Sequence, residues 1–394
     1  MANNRKKKTK KTSPVTVFLV AILCLILGMV CGFAGNVYFA ATTYSIPGTV
    51  PFTPVKKPSS ESGAYDETVI RNKDLSIHFL ELGNKYTGDC TLIKVGNTEV
   101  LIDAGSKSSS VPTIKEYVDR YCTDGILEYV IVTHAHEDHY AGFATSANTD
   151  SIFDLYDCRT IITFSQTTNG KEKQNMYKNF VRELNDEVAA GATHLSAKDC
   201  AGQTFDLGND VKLKILDSKY YYEASATENN HSVCTLITQG EGETEKNYLF
   251  TGDLEVDGEA ELVKRNDLPH VDLYKAGHHG SKTSSTTALM EAVQPATICV
   301  CCCAGSPEYT KTNANQFPTQ EFVDRVAPYT SAVYVTSLCV DYSAGEFTSM
   351  NGNIAVCADR TDETPTVYCS YSATVLKDSE WFRNNRTVPT AWEN

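Results

Sequence analysis

The sequence predicts a mixed α/β fold, with two β-sheets covered by helices on both outer sides and one N-terminal transmembrane helix in front. Three observations carry this expectation. Short β-rich runs recur between amphipathic helical stretches. Each motif rich in metal-ligand side chains stands at the end of such a run, where a rigid scaffold meets a loop. A long uncharged apolar stretch follows a cationic cluster near the start.

Residues 1–14 hold that cluster, RKKKTKK, with Arg5, Lys6, Lys7, Lys8, Lys10 and Lys11 and no acid among them. From Thr12 to Val55 there is no charged side chain, and the densest part, VTVFLVAILCLILGMVCGFAG (Val15 to Gly35), would span about 30 Å as a helix, the thickness of a hydrocarbon core. The run is longer than the apolar core of a signal peptide, and no A-x-A cleavage site follows it, so an uncleaved anchor is expected over residues 15–41. With the positive charge in front, the N-terminus would be cytoplasmic and everything after residue 41 extracellular. Residues 42–73, rich in Pro, Ser, Thr and Gly, read as a flexible linker. A hydrolase-like domain is expected over 74–375 and a C-terminal tail over 376–394.

Within the domain, SIHFLEL, CTLIKV and EVLID read as successive strands, the last ending in Asp103-Ala104-Gly105. A helix through VPTIKEYVDRYC precedes the strand EYVIV. Further strands are expected at CRTIITF, VKLKIL, SVCTLIT, NYLFTGD and ATICVCCC. Helices are expected at KEKQNMYKNFVRELNDEVAAG, EVDGEAELVKR, TTALMEAV and from Thr319 to Val326. In ATICVCCC the strand period puts Cys299, Cys301 and Cys303 on one face and Cys302 on the other, as buried thiols in a core strand. No C-x-x-C pair suggests a zinc ribbon or a redox site.

The 394 residues hold 35 Lys+Arg against 49 Asp+Glu, and setting aside the six N-terminal cations leaves 29 against 49. So acidic a surface repels polyanions, which confines any nucleic-acid contact to a local cleft.

The chemistry concentrates in THAHEDHYAG, residues 133–142, where His134, His136, Asp138 and His139 fall within six positions. Imidazole nitrogens and a carboxylate oxygen are ligand types that zinc prefers and manganese accepts. The spacing suits two adjacent ions, His134 and His136 on one, Asp138 and His139 on the other.

Taken in order, IHFLELGNKYTGDCTLIKVGNTEVLIDAG, THAHEDHYAG, NYLFTGDLE and DLYKAGHHGSKTSS resemble the metallo-β-lactamase superfamily. Within it they are most similar to the hydrolase domain of ComEC-type DNA-internalisation competence proteins and their free-standing relatives. The resemblance covers roughly residues 75–360. It implies an αββα sandwich and a site for two divalent metals, zinc first and manganese as the alternative. It implies that Asp103 orients the ligand loop, that Asp253 bridges the metals, and that one histidine of GHHGS, His278 in preference to His279, completes the second site. Ser281, Lys282, Thr283 and Ser284 follow as donors for a phosphate oxygen, with Asp103, Asp138 and Lys282 expected in catalytic roles.

Two departures stand out. Many members of the superfamily place a third histidine between the first motif and T-G-D, where this chain reads TENNHSVCTLIT. His231 is the only histidine there, and Asn229, Asn230 or Glu228 are the alternatives. Where relatives carry G-H-P, this chain has Gln316-Phe317-Pro318. An open first site is the consequence. His78, His194 and His270 are expected at the surface or satisfied in the core, and Glu137 as a solvent-side spacer.

A hydroxide held between two metals is a nucleophile at neutral pH. The expectation is therefore a membrane-anchored extracytoplasmic di-metal hydrolase acting on phosphodiesters, with single-stranded DNA a candidate substrate and the membrane contacted through the N-terminal helix. No protein partner is indicated. The rivals are a hydrolase of lactams, lactones or thioesters, and a non-catalytic surface binding domain.

Overall fold

The computed structural model describes residues 61–393 apart from 147 and 169. The basic segment and the anchor expected over residues 15–41 lie outside the described residues, as does most of the linker. Among the described residues no helix is long and apolar enough to cross a membrane.

Two sheets are present. Nine strands run from an edge at Glu61–Gly63 to an edge at Thr193–Ser196, and eight run from Glu346–Ser349 to Thr204–Gly208. In the first sheet Leu75–Phe79, Thr91–Val95 and Thr98–Ile102 form an antiparallel meander, after which Ile126–Val132 lies parallel to Thr98–Ile102. In the second, Lys246–Phe250, Leu273–Lys275 and Thr297–Ala304 are consecutive parallel neighbours. Parallel strands need crossovers and are covered on both faces, which explains why Thr297–Ala304 is buried at every position. It also gathers the carboxyl ends of these strands, and the loops that follow them, along one edge. Asp103, Thr133, Asp253 and His279 all lie in those loops.

The sheets meet face to face, with the rings of Phe79 and Phe250 stacked 6.2 Å apart across the interface. In the helix Val111–Val118, Val111, Ile114, Tyr117 and Val118 are buried, a spacing that turns one stripe toward the first sheet. A second core packs Leu262, Leu289, Met290, Phe322 and Val326 against the outer face of the second sheet. Thr286 and Thr319 begin two of these helices by accepting the N–H of Leu289 and Phe322. The alternation read in ATICVCCC follows the two cores, Cys299 and Cys301 in one and Cys302 in the other.

Three boundaries differ from the sequence reading. The last part of the expected linker is folded: Glu61–Gly63 pairs with Thr366–Cys369, and Asp66 caps the helix Glu67–Arg71, which buries Ile70. The expected tail holds the helix Glu380–Asn385, and Phe382 and Trp392 are buried with rings 5.7 Å apart. Apolar burial outweighs terminal position in both places. The helix expected from Lys171 begins only at Asn175, leaving Lys171–Lys173 as a separate turn.

His78 and His194 are satisfied as structural residues. His194 Nε2 lies 2.9 Å from Thr163 Oγ1. His78 is fully buried, its ring nitrogens 2.9 Å from Tyr117 Oη and 2.8 Å from Ser76 Oγ. Burial, helped by the Lys94 charge, pushes the His78 imidazole down to about 3. An unfolded chain takes up a proton near pH 6.5 that the folded ring refuses, so this stabilisation is complete above pH 6.5 and is lost as pH falls toward 3. Between pH 6.5 and 4.5 the wild type should lose about 2–3 kcal/mol more than His78→Phe. Thermal melts across that range should show the steeper acid loss in the wild type; parallel curves would refute the assignment.

Candidate metal centre

Asp103 leaves its strand at φ 59°, in the left-handed region that Asp tolerates better than most residues. Its Oδ1 accepts the Thr133 N–H at 2.8 Å and its Oδ2 accepts the Thr133 hydroxyl at 2.7 Å. Oδ2 also lies 2.8 Å from His139 Nδ1. One carboxylate thus ties the IDAG loop to the ligand loop and turns His139 so that Nε2 faces outward. Gly105 lets the two loops touch: a Cβ there would stand 1.7 Å from the Asp138 carbonyl oxygen. That oxygen accepts the Asp89 N–H at 2.9 Å.

His279 is held in the same manner. Its Nδ1 lies 2.8 Å from the Cys301 carbonyl and 3.2 Å from Asp89 Oδ1, and Asp89 is ion-paired to the buried Lys275. His279 Nε2 then sits 3.3 Å from Asp138 Oδ2 and 3.4 Å from Asp253 Oδ2. This corrects the preference for His278. Both histidines have left-handed backbones, φ 45° and 55°, and this turn carries His279 inward while His278 Nδ1 points to Thr283 Oγ1 at 3.0 Å. His278 remains on the cavity wall.

Asp253 donates its N–H to Ser232 Oγ at 3.0 Å. Gly252 makes that approach possible, because a Cβ would lie 2.7 Å from the Ser232 side chain, at a φ of 53°. Asp253 Oδ2 is 3.1 Å from His139 Nε2. The ligand-type atoms of Asp138, His139, Asp253 and His279 therefore lie within 4.8 Å of one another. Yet His139 Nε2, His279 Nε2 and Asp253 Oδ1 are buried without a well-directed hydrogen bond, the two imidazoles meeting carboxylates only as ion pairs at 3.1–3.4 Å. Each such group costs about 1–3 kcal/mol when left unpaired, a cost that a shared cation removes. Two imidazoles and two carboxylates fit a divalent zinc or manganese ion.

The electrostatics agree with that donor set. Burial raises the Asp138 and Asp253 carboxyls, but the His139 and His279 imidazoles hold both well below the usual carboxylate range. Burial lowers His139 and His279, and the facing carboxylates outweigh it and raise both. A metal would take the place of those protons.

His134 Nε2 and His136 Nδ1 converge at 3.1 Å. Burial and neighbouring imidazoles lower His134, and burial lowers His136, so both are neutral donors. Among the described residues no group of three ligand-type side chains includes either of them. His231 is in no such group either: its Nδ1 lies 3.0 Å from the Tyr220 carbonyl, and its buried Nε2 has no hydrogen-bond partner. The alternatives are also engaged elsewhere. Glu228 accepts from Ala135 N–H, Thr168 N–H and the hydroxyls of Thr167 and Thr168. Asn230 accepts the Glu255 N–H, and Asn229 donates to Glu255 Oε1. From this segment it is Ser232 that reaches His134, with Oγ 3.3 Å from Nδ1, beside Thr133 Oγ1 at 3.1 Å.

A cavity of about 500 Å³ opens over this cluster, walled by His136, Asp138, Asp253, Lys107, Lys171 and Tyr309. Lys282 is not on its wall; the ammonium is exposed and donates to Asn315 Oδ1 at 2.9 Å. Lys275 is committed to Asp89. Glu137 binds Lys107 at 2.7 Å, and the Tyr309 hydroxyl donates to Asp138 Oδ2 at 2.6 Å. Asp89, Ser232, Lys171 and Tyr309 escape a sequence reading. Only Asp89 left a trace, as a carboxylate directly before an expected strand.

Metal content of the full-length chain separates the histidines. His279→Ala should lower bound metal by about one equivalent, while His278→Ala and His231→Ala should leave it unchanged. Elemental analysis beside melting curves checks this; loss in His278→Ala with retention in His279→Ala would reverse the assignment.

Residues 83–150 match the model of the metallo-β-lactamase superfamily. The chain is 26% identical over 281 residues to Recombination protein 2 of Haemophilus influenzae, covering 69% of this chain and 29% of that protein. It is 35% identical over 77 residues to ComE operon protein 3 of Bacillus subtilis, covering 19% of this chain and 9% of that one. It thus spans less than a third of either relative. Among solved structures, the metallo-β-lactamase fold protein YhfI from Bacillus subtilis aligns with 12% identity and a TM-score of 0.37, over 70% of this chain and 99% of that one. Within this two-sheet α/β chain, residues 83–150 thus resemble the metallo-β-lactamase superfamily, and Recombination protein 2 and ComE operon protein 3 are among the proteins it is similar to.

Proposed function

We propose that this chain is a membrane-anchored, extracytoplasmic metal-dependent hydrolase with two metal positions, cleaving phosphodiester bonds in small or single-stranded substrates. The observation that carries this reading is the convergence of Asp138, His139, Asp253 and His279, with buried unbonded donor atoms, at the wall of an open cavity. Divalent metals held there would supply an activated water at neutral pH and polarise the scissile group.

The chain's own residues do the rest. Asp103 and the Cys301 carbonyl hold the Nδ1 atoms of His139 and His279, which keeps each Nε2 aimed at the cluster. On the cavity wall Lys107 is paired with Glu137 and Glu308, which among the described residues leaves Lys171 as one unpaired cation there in an otherwise acidic protein. That favours one anionic segment of substrate and disfavours a long duplex, which needs many backbone contacts. Lys107, Glu137, Lys171 and Glu308 place charge on the wall beside Tyr140, Met176 and Tyr309, whereas a lactam or lactone is neutral. Similarity to a protein named for recombination is in keeping with a nucleic-acid phosphodiester. The run Val15 to Gly35 behind a cationic cluster supports the anchor and its orientation.

The test uses the full-length chain in detergent, loaded with zinc or manganese, against bis(4-nitrophenyl) phosphate, an aryl lactone and a chromogenic β-lactam. Phosphodiester turnover should appear, vanish with a chelator, and be lost in His136→Ala and Asp253→Ala. Turnover of the lactone or β-lactam without the phosphodiester would contradict the proposal. In wall-stripped cells the chain should sit in the membrane fraction and yield its C-terminal domain to added protease; protection until lysis would overturn the orientation.

A further inference from the structure

Two cations line the cavity, and they differ in one respect. Lys107 is neutralised by Glu137 at 2.7 Å and Glu308 at 3.7 Å. Lys171 is half-buried on the wall, and among the described residues its ammonium forms no ion pair or hydrogen bond. Burial lowers its basicity, and the charges of Glu228, Asp138 and Glu137 oppose this only from a distance.

Its place is built. The Glu228 carboxylate accepts the Ala135 N–H at 3.2 Å with one oxygen, and with the other the Thr168 N–H at 2.7 Å and the Thr167 and Thr168 hydroxyls at 2.8 Å. Ala135 stands between His134 and His136, so the loop that carries Lys171 is pinned to the ligand loop itself. From there the Lys171 charge is felt at His136. A cation held in this way, partly desolvated and without an internal partner, gains most from an anion brought in by a ligand.

We propose that Lys171 forms an anion subsite on the His134–His136 side of the cavity, which seats a second phosphate of the substrate adjoining the diester at the metal cluster. This rests on the phosphodiester reading of the site and narrows it, since the preferred substrate then carries two neighbouring phosphates, as a nucleotide chain does and an isolated diester does not.

Calorimetric titration of the zinc-loaded full-length chain with thymidine 3′,5′-bisphosphate and thymidine 5′-monophosphate tests this without turnover. The wild type should bind the bisphosphate about tenfold more tightly. Lys171→Ala should abolish that preference by lowering bisphosphate affinity about tenfold, while metal content and melting temperature stay unchanged, and Lys171→Arg should retain it. A preference that survives in Lys171→Ala, or one absent from the wild type, overturns the subsite. Turnover is scored separately: a Lys171-dependent preference in a protein inert toward phosphodiesters supports the subsite and contradicts the hydrolase reading, whereas active cleavage with no preference contradicts the subsite alone.

Discussion

The carboxylate of Asp103 lies out of contact with water and reaches the Thr133 N–H, the Thr133 hydroxyl and His139 Nδ1, all within 2.8 Å. These contacts join the end of one strand to the loop after its parallel neighbour, and they decide which nitrogen of His139 is left to face the cavity. His279 is set by the same logic from the other sheet, where Asp89 and the Cys301 carbonyl hold its Nδ1. The backbones meet closely enough for this only because Gly105 and Gly252 lack a Cβ. The donor set of the cluster is thus a consequence of how the strand ends are tied together, and the sandwich can fold with its ligand atoms already convergent.

Much of the centre was legible because ligand chemistry was dense in sequence. Four ligand-type side chains in six residues, after an apolar β run, mark a loop at a strand end, and TGD and GHHGS fall at strand ends as well. Between the adjacent histidines the sequence could not choose. Their residue type is identical, and what separates them is a pair of left-handed φ angles that direct one ring inward and the other to Thr283. The cations were misread for a related reason. Lys282 stands four residues beyond His278 yet turns outward to Asn315, whereas Lys171 arrives from a loop pinned by Glu228, some sixty residues further along the chain. Reading a helix from Lys171 instead of Asn175 hid that loop. The terminal segments were misjudged because isolated apolar residues such as Ile70 and Trp392 give no periodic signal, although each is buried.

Charge is distributed unevenly between the surface and the site. An acidic chain repels polyanions over most of its surface. At the cavity, His134 and His136 with lowered basicity, carboxylates matched to His139 and His279, and two lysines lie together in one compact region.

Anomalous X-ray scattering from crystals of the zinc-loaded protein, recorded on both sides of the zinc edge, tests the central claim most directly. The account predicts a peak bounded by Asp138, His139, Asp253 and His279, with the two Nε2 atoms as donors at about 2.0–2.1 Å. A second and weaker peak is expected beside His134 and His136. An empty cluster, or a peak held by His278 or His231 in its place, would contradict the account.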